Sequence, residues 1–240
     1  MRTIALQSLL PGAGSSFLCS ALALCASREC RVLLCDLTKS HSTTLSVFNL
    51  PLDLKISELK PRQGIELSPA LTYYPHAYYS ARAQHFAAGG EQLDFVSGLA
   101  GLLKFFASKD FELTIIDAGC KDSAAARAAA ELGSLTLTVL RPNSASMCEL
   151  SESVHRQQEY FLFNQVLFDS KLQADLMLFA SSQVPQDSCV PFYIPYDDDV
   201  LAASLNNTCV MEQAPYSAAA RAVENLYIFC LLQTDPGLSA

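Results

Sequence analysis

The stretch Leu10-Pro11-Gly12-Ala13-Gly14-Ser15-Ser16 stands between an apolar run, Thr3–Ser8, and a segment of helical period that extends from about Ser16 to Ser27. A buried strand that turns through glycines into a helix makes an anion cradle. Glycine accepts backbone angles that let successive N–H groups curl inward, and the helix N-terminus behind them adds a favourable dipole. A tight turn closed by a serine helix cap would use the same residues. The pattern of the rest of the chain bears on which of the two applies.

Arg31–Asp36 (R-V-L-L-C-D) and Phe111–Asp117 (F-E-L-T-I-I-D) are both apolar runs that end in an acid. Ser134–Leu140 and Tyr160–Gln165 are further runs, and Val190–Ile194 is a short one closed by Pro195. Helical segments are expected between and after them, at about 92–108, 122–132, 144–158, 170–183, 197–204 and 216–233. This alternation predicts an α/β fold, a mostly parallel sheet flanked by helices, in one domain over 1–240. The near-continuous apolar runs are those of strands buried on both faces. In such sheets ligands sit at the C-terminal strand edges, where the 10–16 loop, Asp36 and Asp117 all fall. Pro11, Gly12, Ala13, Gly14, Ser15 and Ser16 are therefore candidate phosphate-binding residues. Ser16, Asp117 and Asp36 are candidates for the magnesium side, Ser16 through its hydroxyl and Asp117 through water.

A standard phosphate loop reads G-x-x-x-x-G-K-[ST], and here Ser15 stands in the lysine position. Arg2, Arg28 and Lys39 are not placed by the sequence to compensate. Backbone donors are retained, so binding is expected to survive. The cation that would stabilise a transition state is gone, so fast hydrolysis is not expected.

Half of the residues are hydrophobic and 17% are charged, which excludes general disorder. No apolar run reaches the length of about eighteen residues that marks a membrane helix, and the opening residues do not read as an export signal. The nine cysteines form no C-x-x-C pair and read as buried thiols of a cytoplasmic protein. The four histidines, 41, 76, 85 and 155, lack metal spacing and read as surface or packing residues. Residues 1–120 carry ten basic and ten acidic side chains, and residues 121–240 carry six and fourteen, so the net charge of −8 lies in the second half. That distribution argues against nucleic acid as a partner, and suits either a basic protein surface or a simply solvated face. Residues 38–90, with Tyr73-Tyr74-Pro75-His76-Ala77-Tyr78-Tyr79 and Gly89-Gly90, read as a long excursion near the site or a partner surface, or as a packed loop.

Over residues 1–50 and 110–233 the chain resembles the ParA/MinD-like P-loop proteins, and among them the cellulose-biosynthesis BcsQ (YhjQ) branch. The family loop, K-G-G-x-G-K-[TS], places its two lysines on Leu10 and Ser15. The BcsQ branch departs at both places, with R-G-G-x-G-T-T. Asp36-Leu37-Thr38 matches the family's D-x-D with the water-orienting acid replaced, and Ile116-Asp117-Ala118-Gly119-Cys120-Lys121-Asp122-Ser123 matches its switch stretch. Leu162-Phe163-Asn164-Gln165, Ile194-Pro195-Tyr196-Asp197 and Ala214-Pro215-Tyr216-Ser217 match the segments beside the base. The resemblance implies that Asn164, Pro195 and Asp197 contact a nucleotide, that ATP and Mg²⁺ are the cofactors, and that two copies form a nucleotide sandwich dimer. It further implies a small BcsR-like partner and a role at the cellulose synthase complex of the inner membrane, reached from the cytoplasm through partners. The tail, Ala222–Gln233, has no Lys or Arg and reads as a packed helix, not a lipid anchor.

Overall fold

The computed structural model describes residues 1–38, 41–51, 54, 63–75, 95–152, 156, 158–185 and 187–235. Its centre is a seven-stranded sheet ordered β3-β4-β2-β5-β1-β6-β7. The strands are β1 (Arg2–Ser8), β2 (Val32–Asp36), β3 (Ile65–Ser68), β4 (Leu71–Tyr74), β5 (Leu113–Cys120), β6 (Leu135–Leu140) and β7 (Glu159–Phe163). Of these strands only β3 runs antiparallel to its neighbour. The helices are α1 (Ser15–Ala26), α2 (Ser42–Val47), α3 (Phe95–Ala107), α4 (Ala124–Leu132), α5 (Ser144–Glu152), α6 (Lys171–Gln183), α7 (Asp198–Leu205), α8 (Val210–Gln213) and α9 (Ala218–Thr234).

Every residue of β2 and β6 is buried, because helices cover both faces of the sheet. On one face Ile4, Leu6, Leu34 and Ile115 meet Leu18 and Leu22 of α1, with Val223 and Leu226 of α9 behind them. On the other, Ala5, Leu33, Cys35 and Ile116 meet Leu99, Leu102 and Phe106 of α3 and the alanine face of α4. Alanines at 125, 126, 128 and 129 are buried, and their small side chains let α4 lie close to the sheet. A third cluster joins Phe161 and Phe163 of β7 to Met147, Leu150 and Ala180. The tail helix α9 packs along α1, so the Lys- and Arg-free stretch Ala222–Gln233 is packed on the domain. Among the described residues no helix is long and apolar enough to cross a membrane.

The structure corrects two expectations. Val190–Ile194 is not a strand. It runs beside β7, with Val190 N–H donating to Phe161 O at 3.0 Å and Ile194 N–H to Phe163 O at 2.9 Å, and makes only isolated bridges at Cys189 and Pro195. Prolines at 191 and 195 have no N–H to give to a continuous ladder. Residues 65–74 are not an excursion: β3 and β4 extend the sheet, and Tyr73 and Tyr74 are fully buried. The Tyr74 ring meets Phe106 edge-on, with centroids 4.9 Å apart. The expected 144–158 helix is described to Glu152, and His76, Tyr78, Tyr79, His85, Gly89, Gly90 and His155 lie outside the described residues.

If β4 is core, Tyr74→Ala should cost about 3–5 kcal/mol, the range for removing a buried aromatic ring. Urea unfolding monitored by circular dichroism measures it, and a loss within about 0.5 kcal/mol, the range of surface changes, would place Tyr74 outside the core.

Candidate functional site

The sheet order puts the C-terminal ends of β1, β2 and β5 side by side, and α1 starts directly above them. Gly12 and Gly14 have φ of 81° and 94°, in the left-handed region where glycine carries no steric penalty, so β1 can turn into α1 within a few residues. A Cβ built at Gly12 would meet nothing within 4 Å, so the tip of the loop faces open space. Pro11 and Gly12 are exposed, while Ala13 and Ser15 are buried. Gly14 is the N-cap of α1 and has no side chain to satisfy the helix's first N–H groups. These are the features of an anion cradle.

The position that a lysine would occupy is turned inward. The Ser15 hydroxyl lies 2.6 Å from that of Ser8, at the end of β1. The loop is also gripped from β7: Asn164 donates its side-chain N–H to Ala13 O at 2.7 Å, and a Cβ on Gly14 would lie 2.5 Å from the same Asn164 nitrogen. Asn164 therefore holds the phosphate loop from below. Val166 and Pro195 bridge beside the end of β7, which brings Pro195 to this edge. Asp197 caps α7 through Asp199 N–H at 3.0 Å and ties it to α9 through Ala219 N–H at 2.9 Å, so both of its oxygens are engaged by backbone.

Asp36 and Asp117 are paired neighbours on β2 and β5, and both are buried. Their surroundings differ. Asp36 Oδ1 accepts from the N–H and hydroxyl of Thr38, and Oδ2 accepts from the Tyr73 hydroxyl at 3.0 Å. His41 Nδ1 is 2.9 Å from the same Oδ2, close in charge terms although off-line for a hydrogen bond. Asp117 Oδ1 accepts from Gly119 N–H at 3.2 Å, and its Oδ2 is buried with no hydrogen-bond partner among the described residues. Burial first, and the neighbouring Asp36 charge second, hold the Asp117 carboxyl above the ordinary range for aspartate; Ser16, Gly119 N–H and His41 offset part of this. Burial, followed by the Asp36 charge, likewise pushes the Tyr73 phenol far up, so it remains a donor.

A buried carboxylate oxygen without a hydrogen-bond partner is a place that a cation would fit. Among the described residues no three His, Cys, Asp or Glu side chains gather into an all-protein metal cage. Magnesium would not need such a cage, because it takes one or two protein ligands and fills its octahedron with water and phosphate oxygens. Asp117 and the Ser16 hydroxyl are the residues that fit it. Asp36 is committed to its own donors and serves the pair by position.

His41 and Ser8 do not stand out in the sequence as site residues, and Tyr73 does so only as part of a stretch read as near the site or a partner surface. His41 reads as a surface or packing histidine, and the structure buries it against Asp36. The only sequence signal for Ser8 is a hydroxyl at the end of a buried strand, seven residues before Ser15.

Solved structures share this architecture. A ParA family ATPase from Chlorobium tepidum is 17% identical with a TM-score of 0.67, covering 95% of this chain and 98% of its own. An ATP complex of Cyanothece McdA is 14% identical with a TM-score of 0.73, covering 97% and 96%. The septum site-determining protein MinD from Pyrococcus horikoshii, complexed with Mg-ADP, is 16% identical with a TM-score of 0.67, covering 94% of each chain. The fold is that of the ParA/MinD P-loop ATPases. A search of curated proteins finds no match. The family model for cellulose biosynthesis protein BcsQ matches residues 1–231, and the chain belongs to that family.

The grip of Asn164 on the loop is testable by a double-mutant cycle. Gly14→Ala alone should destabilise by about 1–3 kcal/mol, from left-handed strain and the collision with Asn164. Asn164→Ala should relieve the collision but not the strain, so the pair is expected to couple by about 0.5–3 kcal/mol in urea unfolding, whereas strict additivity would show that the contact does not form.

Proposed function

We propose that this chain binds ATP with Mg²⁺ as an assembly or regulatory protein for bacterial cellulose synthesis and secretion, with hydrolysis slow or absent. The observation that carries the reading is the unsatisfied Asp117 Oδ2 beneath a glycine loop whose lysine position is occupied by an inward-turned serine. The loop's N–H groups would hold the phosphates, and the first turn of α1 would add its dipole. Magnesium would supply the positive charge between phosphate oxygens and Asp117. Nothing in the loop supplies a cation to the charge that develops during phosphoryl transfer. In hydrolases of other classes the loss of one such donor costs about 2.7–4 kcal/mol, or roughly 10²–10³ in rate. Thr38, in the place of a water-orienting acid, has its hydroxyl turned onto Asp36 and offers no carboxylate to position a nucleophile.

On this reading nucleotide occupancy, not turnover, is the signal, read by a second copy across a sandwich dimer. A small BcsR-like protein and the cellulose synthase complex at the inner membrane are the further partners, approached from the cytoplasm. Nucleic acid is not among them. The family assignment supports the cellulose context, and the ATP and Mg-ADP complexes of McdA and MinD support the ligand.

A second reading, a scaffold that takes no nucleotide, draws on the loop being held by Ser8 and Asn164 without any ligand. Calorimetric titration separates the two. Mg-ATP is expected to bind and to raise the melting temperature once its concentration exceeds the dissociation constant, equivalent to about 2.7 kcal/mol at a hundredfold excess. Asp117→Ala is expected to remove the magnesium-dependent part of that affinity. No heat and no shift with Mg-ATP or Mg-GTP would favour the scaffold. Phosphate release that Asp117→Ala abolishes would show an active ATPase.

A further inference from the structure

A buried charge cluster lies below the site, on the sheet face opposite the phosphate loop's helix. Glu159 opens β7 with its side chain fully buried. Its Oε1 accepts from Lys121 Nζ at 2.6 Å, from Gln7 Nε2 at 3.2 Å and from the Thr138 hydroxyl, and its Oε2 accepts from Arg156 N–H at 3.0 Å. Gln7 also donates to Thr138 at 2.8 Å, and the Lys121 ammonium lies 5.3 Å from the centre of the Phe161 ring. The Lys121 side chain is 9% exposed.

A buried ion pair seldom improves on well-packed apolar side chains of the same volume, because desolvation consumes most of its attraction. Such a pair is better suited to fixing a register. The register at this place is irregular: Leu6 pairs with Asp117, but Ser8 pairs with Cys120, so β5 carries an extra residue opposite Gln7. A bulge of this kind bends its strand and re-aims the side chains beside it. Here it carries Gly119 at φ 70°, and its first residue is flanked by Asp117. Gly119 N–H orients Asp117 Oδ1 at 3.2 Å, and the far side of the bulge closes where Lys121 N–H donates to Ser8 O at 2.9 Å. Ser8 in turn holds Ser15 of the phosphate loop.

We propose that Lys121 is a positioning residue that pins the far side of this bulge to Glu159 and thereby aims Asp117 at the magnesium side of the site. β7 serves both sides of the site. Its first residue anchors the bulge through Lys121, and Asn164, just past its last, grips Ala13 of the phosphate loop. The inference deepens the nucleotide-binding reading and rests on it for the magnesium. The pinning itself does not depend on any ligand.

Lys121→Met alone would leave Glu159 buried and unpaired. The informative variant is therefore Lys121→Met/Glu159→Gln, in which the neutral amide replaces the carboxylate: its oxygen keeps Gln7 and Thr138 as donors, while its NH2 gives up the Arg156 N–H, which can turn to water. It is expected to melt near the wild-type temperature. Amide hydrogen exchange on the ligand-free protein should be at least about tenfold faster at Gly119 and position 121, with β2 and β6 unchanged, since a bulge without its pin opens locally. Mg-ATP affinity should fall about tenfold while ATP affinity in EDTA stays the same, the usual size of effect when a group that orients a metal-side ligand is lost. Lys121→Arg should keep both slow exchange and affinity. Unchanged exchange at Gly119 and position 121 in a folded double variant overturns the proposal, as does its global unfolding, which would make the pair a pillar of the core. If the wild-type chain takes no Mg-ATP, the nucleotide reading falls, and the exchange result alone decides the pinning.

Discussion

Two carboxylates sit on adjoining strands in the middle of the sheet, with almost no access to water. Both cannot be charged there without support, since like charges at close range in a low-dielectric interior repel strongly. The surrounding residues resolve this by unequal treatment. Asp36 receives the donors: Thr38 twice and the Tyr73 hydroxyl, with the His41 ring close by but off-line for a hydrogen bond. Asp117 accepts one backbone N–H, from Gly119, has its Oδ2 without a hydrogen-bond partner among the described residues, and is only partly offset by Ser16 and His41, so its carboxyl stays raised. On the proposed reading, the asymmetry is what would let Asp117 serve a cation. It also gives a reason for Tyr73, on a strand that looks expendable, to be buried beside the site: its hydroxyl donates to Asp36 Oδ2.

How much of this could be read from the sequence follows from which forces act locally. β1, β2, β5 and β6 are legible because strands buried on both faces must be apolar throughout, and the acids that interrupt them at 36 and 117 are conspicuous for the same reason. α4 and α9 are legible at their starts, where Ser123 and Ser217 accept from the N–H groups of Ala126 and Ala220. β3 and β4 are not, since four-residue strands joined by Pro69-Ala70 are too short to show a period, and tyrosines in a strand look like tyrosines in a surface loop. Val190–Ile194 has strand composition, but its prolines act through missing backbone donors, which an apolar pattern does not display.

The site divides in the same way. The loop, Ser16 and the strand-end acids follow from chain order, because a parallel sheet always brings those edges together. Asn164 was legible only as a position implied by a resemblance, and its hold on Ala13 is a contact between residues 151 apart. His41 and Ser8 are placed by tertiary packing alone. So is the Lys121–Glu159 pair, whose partners come from β7 and the end of β5.

The replacement of lysine by serine therefore changes more than charge. A loop lysine is a flexible cation that must be ordered on binding, at an entropic cost of up to about 2 kcal/mol for a long side chain. Here the loop is already ordered by contacts that involve no ligand: hydroxyl to hydroxyl at its base, and amide to carbonyl from β7. What remains for a phosphate is a preset row of backbone donors, which recognises shape and negative charge but cannot follow charge as it moves along a reaction. On the proposed reading, a cradle fixed in this way would favour occupancy over turnover, and the Asp117 oxygen without a hydrogen-bond partner would make that occupancy depend on a divalent cation.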